Sequence, residues 1–172
     1  MNGRLSRMAA AAKELRNKLN DGSLMREVLQ EHGEDIMQEQ QIQLLEGKGS
    51  DDNDLRPYYT EDIQPHGYFK SVQTASNYMA WKESLNYPFQ VTRGNSNAPN
   101  LYISGRFYSE MEVKFDTDAM AIVPQTPYAA AIMGKYGLKR FGLSLFHWDK
   151  IMNEYGVKDE IQQRFRELLY AD

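Results

Sequence analysis

Residues 99–115 restrict the fold more than any other stretch of the chain. Leu101 and Ile103, then Met111, Val113 and Phe115, place apolar side chains two apart, the period of a strand with one buried face. Ser104-Gly105 breaks the two runs and demands either positive φ or close backbone approach, with Arg106 following on an exposed turn or helix start. Met120-Ala121-Ile122-Val123 supplies another short strand, and Asp116-Thr117-Asp118 reads as the turn that folds it back on residues 111–115 as a hairpin. This is the strongest strand signal in the sequence, and the remaining periodic segments are helical. The expected class is α+β: a small antiparallel sheet flanked by helices, with an N-terminal helical arm.

The helices follow from spacings of three and four. Leu5, Met8, Ala12, Leu15 and Leu19 mark an amphipathic helix over residues 4–19, stopped by Asn20-Asp21-Gly22-Ser23, where Asp21 or Ser23 can cap the next helix. That second helix is expected over residues 24–45, with Gly33 as a weak point or kink. Both carry little apolar surface, so an arm made of them needs the body of the domain or a neighbouring subunit to pack on. The division that results is an arm over residues 1–46 and an α+β domain over residues 47–172. Val72, Ala75, Met79 and Lys82 predict a helix over 71–85, and Pro127 opens another whose end Gly134 and Gly137 bracket. Ser144 is placed to cap a helix over 146–155. Val157, Ile161, Phe165 and Leu168 outline the last one, with Asp159 and Glu160 in its first turn, where the helix dipole favours negative charge.

Composition narrows the chemistry. With 172 residues the chain is long enough to bury a real core, roughly 70% of its unfolded surface. Twenty Lys plus Arg against 24 Asp plus Glu, a net charge of −4, give no electrostatic reason to expect nucleic-acid binding. The sequence contains no cysteine, and its three histidines, His32, His66 and His147, lie far apart, so no thiolate chemistry and no cofactor or metal centre is expected. Asp51, Asn53 and their neighbours offer oxygen ligands, but the spacing fails the EF-hand pattern and a solvated turn is expected there. The longest apolar run is far shorter than the ~20 residues that span a bilayer, and no signal-type segment follows the first residues, so a soluble chain with no membrane partner is expected. No Gly-x-Ser-x-Gly, no His-Glu-x-x-His and no paired acidic motif on a predicted strand end is present, and His147 beside Trp148-Asp149 is the best single candidate for a working histidine, expected to act as a cap or packing residue. The expectation is a protein that is not an enzyme.

Several short motifs point further. The order Gln40-Gln41-Ile42-Gln43-Leu44-Leu45-x-Gly47, an Asp/Asn/Gly turn with Leu55 and Pro57-Tyr58, Tyr78-x-x-x-Lys82, and Asn100-Leu101-Tyr102-Ile103-Ser104-Gly105-Arg106-Phe107 before a hairpin resembles small virion proteins of tailed bacteriophages, especially those infecting Bacteroidota (crAss-like or related). Gly137-Leu138-x-x-Phe141-Gly142-Leu143-Ser144 is similar to their C-terminal segment, while Ser104 stands where Thr is usual. The resemblance spans about residues 36–169 and implies the neck or tail-completion group. Such a subunit forms a homo-oligomeric ring between portal or adaptor and tail, assembled in the host cytoplasm, through whose lumen genomic DNA passes without specific binding. On that implication Ser104, Gly105, Arg106 and Phe107, with Leu5, Met8 and Leu15 of the arm, are the subunit-interface candidates. A protein-binding adaptor outside any ring is the alternative reading, and a small hydrolase the next.

Overall fold

The computed structural model describes residues 2–57, 69, 71–116, 119–137 and 141–170, with residues 2–5, 7 and 8 as backbone only. Among them the chain runs α1 (Asn2–Asn20), α2 (Ser23–Glu31), α3 (Gly33–Leu45), α4 (Val72–Glu83), α5 (Arg106–Ser109), β1 (Met111–Phe115), β2 (Met120–Pro124), α6 (Ala129–Tyr136), α7 (Leu145–Asn153) and α8 (Val157–Leu169). This is the α+β class expected from the sequence. None of the helices among these residues is long and apolar enough to cross a membrane.

Helix α3 is the axis of the packing. Ile36, near its start, joins Val28, Ile151 and Val157 in one buried cluster, while Leu44 and Leu45, at its end, join Leu55, Phe107, Tyr108, Met111 and Ala129 in another. Each such aliphatic side chain, fully removed from water, contributes about 1.5–3 kcal/mol before entropy is counted. Ile122 of β2 packs against both clusters and ties the sheet across them. The segment 1–46 is therefore not of one kind. Helix α1 lies on α8 and α2, but α2 and α3 form the interior of the body.

The single helix expected over residues 24–45 is divided at His32. This residue leaves helical geometry at φ −89° and ψ 17° and is followed by Gly33, whose helix propensity is poor. The imidazole fixes the break. Nδ1 lies 2.7 Å from Asp35 Oδ2 in the first turn of α3, and Nε2 lies 3.0 Å from Glu160 Oε2 on α8.

The hairpin is antiparallel with Val113 opposite Ile122 and Phe115 opposite Met120. Met111, Val113 and Phe115 face the core, whereas Glu112 and Lys114 are exposed, as the period of two requires. Its turn residues Thr117 and Asp118 lie outside the described residues.

The first half of the 99–115 stretch is not a strand. Leu101 adopts φ 52° and Gly105 φ 80°, so residues 101–105 make an elbow that leads into the single turn of α5. Asn100 explains the departure: its Oδ1 accepts a hydrogen bond from Tyr102 N at 3.2 Å, giving the backbone a local partner in place of a ladder. Tyr108 Oη donates to the Asn100 carbonyl, and the rings of Tyr87, Tyr102 and Tyr108 meet edge to face with centroids 5.3 and 5.5 Å apart. Leu101 thus turns toward the core and Ile103 outward, although the two are two residues apart.

A second close approach locks the loop after α3. Gly47 has φ 82°, and a Cβ built on it would lie 2.9 Å from the Cβ of Ala98. Its carbonyl accepts from Leu55 N at 2.7 Å, closing the turn over residues 48–54.

Candidate functional site

The elbow, α4 and α6 enclose an apolar groove of about 680 Å³. Helix α4 begins at Ser71, whose Oγ accepts from Thr74 N at 3.3 Å, and it presents Tyr78 and Lys82. The elbow contributes Pro99, Leu101 and Ile103; α5 contributes Phe107, and α6 with the preceding turn contributes Tyr128, Ile132 and Tyr136. Phe69 stands beside Tyr78 with ring centroids 5.1 Å apart, and Trp81 also packs on Tyr78, at 5.5 Å.

Lys82 sets this groove apart from a simple gap in packing. It falls seven residues after the buried Ala75, on the buried side of α4, and is 1% exposed. Its ammonium makes no hydrogen bond or ion pair among the described residues. The adjacent Glu83 is taken by Arg93, which also donates to the Ala98 carbonyl. Burial pushes the Lys82 ammonium down to about 8, with Arg93 acting in the same direction and Glu83 against it. At neutral pH the groove therefore holds a desolvated cation. At the same groove Lys135 sits with its ammonium 5.2 Å from the centre of the Tyr136 ring.

The second constellation lies on α3, between the two apolar clusters. Glu39, Gln40 and Gln43 are buried there, in helical register with Ile36 and Leu44. Gln43 acts as a surrogate strand: its Nε2 donates to the Gly142 carbonyl at 2.9 Å and its Oε1 accepts from Ser144 N at 2.8 Å. Gln40 Oε1 accepts from Gly142 N at 2.9 Å. Ser144 then caps α7, as its sequence position suggested, accepting from His147 N at 3.4 Å. His147 itself is 1% exposed, with Nδ1 2.6 Å from Glu39 Oε2 and Nε2 3.3 Å from Glu46 Oε2. Tyr155 Oη donates to Glu39 Oε1 at 2.9 Å, and Lys150 Nζ lies 3.6 Å from Glu39 Oε2. Burial alone would lower the imidazole pKa, but the Glu46 and Glu39 carboxylates together outweigh it and hold the group above the ordinary histidine value. With a carboxylate against each nitrogen, the protonated ring donates to both and fastens α7 to α3. It has no free nitrogen with which to move a proton to a substrate.

The interface candidates read from the sequence separate in space. Ser104 is exposed on the elbow and Arg106 at the start of α5, with Arg106 Nε 2.5 Å from Glu110 Oε1; Gly105 lines the groove. Phe107 and Leu15 are instead buried within their own chain, Phe107 in the core at the floor of the groove and Leu15 on the packed side of α1. The side chains of Leu5 and Met8 lie outside the described residues. In the 47–54 turn, Lys48 Nζ takes Asp54 Oδ1 at 2.7 Å and Asn95 Nδ2 donates to Asp54 Oδ2 at 2.9 Å, so this carboxylate serves to close the loop.

Two further apolar surfaces stand elsewhere. Leu145 and Phe146, 83% and 56% exposed, project side by side from the first turn of α7. Between α1 and α8 a cleft of about 620 Å³ is lined by Leu19, Leu24, Ile161, Phe165, Leu169 and Tyr170. No protein-family model, curated protein or solved structure matches the chain.

Proposed function

We propose that the chain is a structural subunit whose activity is association: part of a ring in the head–tail connector or tail of a tailed phage, joining portal or adaptor to tail. One observation carries the reading. An exposed apolar pair, Leu145 and Phe146, and an apolar cleft between α1 and α8 occur on the same chain with no residue in common. Unlike surfaces on one chain favour head-to-tail contact, and head-to-tail contact closes into a ring when the rotation between subunits allows it. Adjacent exposed side chains of this size exceed the scattered single residues that any surface carries. The exposed Ser104 on the elbow and the exposed Arg106 beside it, paired with Glu110, face the ring above or below. The motifs around residues 40–47, 100–107 and 137–144 supply the phage context, and with it virion localisation and a lumen through which DNA passes.

Light scattering on the purified chain, alone and with candidate portal or adaptor proteins, tests the association. A large homo-oligomer, or one formed on a partner, is the expected result; a monomer or dimer that stays so with every partner favours the adaptor reading instead. Imaging of the particle with this subunit labelled then tests the context, with the label expected at the vertex that carries the tail.

A further inference from the structure

We propose that the groove between the elbow, α4 and α6 is a binding site for a small amphipathic carboxylate, an aliphatic or aromatic tail bearing a single acid group, with Lys82 as its counter-ion. The site goes beyond the assembly reading and shares no residue with the Leu145–Phe146 pair or the α1–α8 cleft.

Its volume, about 680 Å³, falls in the range of pockets that enclose small organic ligands, and its wall is mainly aromatic and aliphatic with few polar groups. The decisive feature is the lysine. A buried lysine that meets no acceptor among the described residues is costly in a folded protein, and a leucine or methionine at a helix position such as 82 would avoid that cost. An entering carboxylate supplies the missing acceptor, and its hydrogen bond with the ammonium strengthens as the tail excludes water. The charges select the ligand. Lys82 is the desolvated cation and pairs with one carboxylate, the exposed Lys135 holds its ammonium against the Tyr136 ring, and an amine would be repelled by both. The tail has surfaces to lie on: the rings of Tyr78, Phe107 and Tyr128, and the side chain of Ile132. Ile103, 58% exposed on the elbow, offers a further apolar contact to a tail that extends toward solvent.

Titration of the full chain with dodecanoate below its micellar concentration, followed calorimetrically and by the fluorescence of Trp81 beside Tyr78, tests the site. Saturable one-to-one binding is expected, at least tenfold tighter than for dodecanol, with dodecyltrimethylammonium bound no better than the alcohol. Lys82→Met should lose that tenfold preference for the acid. Ala131→Trp, an exposed position on the groove that leaves Lys82 in place, should weaken binding of acid and alcohol alike and guards against a Lys82 variant that fails to fold. Absence of dodecanoate binding, equal affinity for acid and alcohol, an unchanged preference in Lys82→Met, or unchanged binding in Ala131→Trp would each overturn the proposal.

Discussion

The chain buries charge in two places and treats it in opposite ways. On α3 and α7, Glu39 and His147 are saturated: the carboxylate receives the imidazole and Tyr155 with Lys150 nearby, and the imidazole spans Glu39 and Glu46. On α4, Lys82 is as deeply placed and meets no acceptor among the described residues. Burial depth alone therefore does not distinguish a structural charge from a charge held for a ligand. What distinguishes them is whether the fold itself supplies the counter-ion.

The largest effect expected from breaking this contrast comes at the saturated site. Glu39→Leu leaves His147 with Glu46 alone and Tyr155 and Lys150 without that buried acceptor, and should cost about 4 kcal/mol of unfolding free energy in urea titration. A loss under about 1 kcal/mol would mean that the network holds nothing together. Next in size is Gly47→Ala, which touches neither charged site: its Cβ must displace Ala98 from a left-handed backbone, for about 2 kcal/mol measured in the same way. Lys82→Met should have the opposite sign, raising the stability of the unliganded chain by about 1 kcal/mol, because an apolar side chain replaces an unpaired desolvated cation. Destabilisation there would place Lys82 with Glu39 as a structural group.

The smallest effect is in the pH profile. Both His147 and His32 are held above the ordinary histidine value, the first by Glu46 and Glu39 and the second by Asp35 and Glu160, in each case against the opposing pull of burial. Their contribution is fully present below the unfolded histidine pKa of about 6.5 and is lost as pH rises through the folded values. Glu160, lowered chiefly by its bond to His32, and Asp54, lowered chiefly by Lys48, contribute in the reverse sense, with stability present above about pH 4.3 and lost on acidification. Below about pH 8, where Lys82 begins to lose its unfavourable charge, urea midpoints should thus be highest between about pH 5 and 6.5. Their decline above that window should flatten in a His32→Gln, His147→Gln double variant.

Much of the fold was legible because local periodicity decides it. Helix α1 was read over residues 4–19 and lies at Asn2–Asn20; the hairpin was read over 111–115 and 120–123 and lies at Met111–Phe115 and Met120–Pro124; Ser144 caps α7. Gly33 marked the weak point at which the long helix divides. The elbow was not legible as such: Leu101 and Ile103 have strand spacing, yet the Asn100 side chain captures Tyr102 N and bends the backbone away. The partners of His147 lie about a hundred residues earlier in the chain, and only the fold brings them together. Two signals were present in the residues themselves. Lys82 continues the spacing of Val72, Ala75 and Met79, and Glu39, Gln40 and Gln43 interrupt a helix whose flanking turns are apolar. A polar residue standing on the buried side of a helix asks either for a partner across the core or for a guest.

The passage of α3 through both apolar clusters has a consequence for how the molecule comes apart. Neither cluster can melt while the other survives, since each loses a wall when residues 33–45 unravel and Ile122 is withdrawn from both. Heating should produce a single calorimetric endotherm, with no early shoulder from a detachable N-terminal piece. A fusion or label attached ahead of α1 would then disturb the molecule through the seam with α8 and α2, leaving the interior to melt as one cooperative unit.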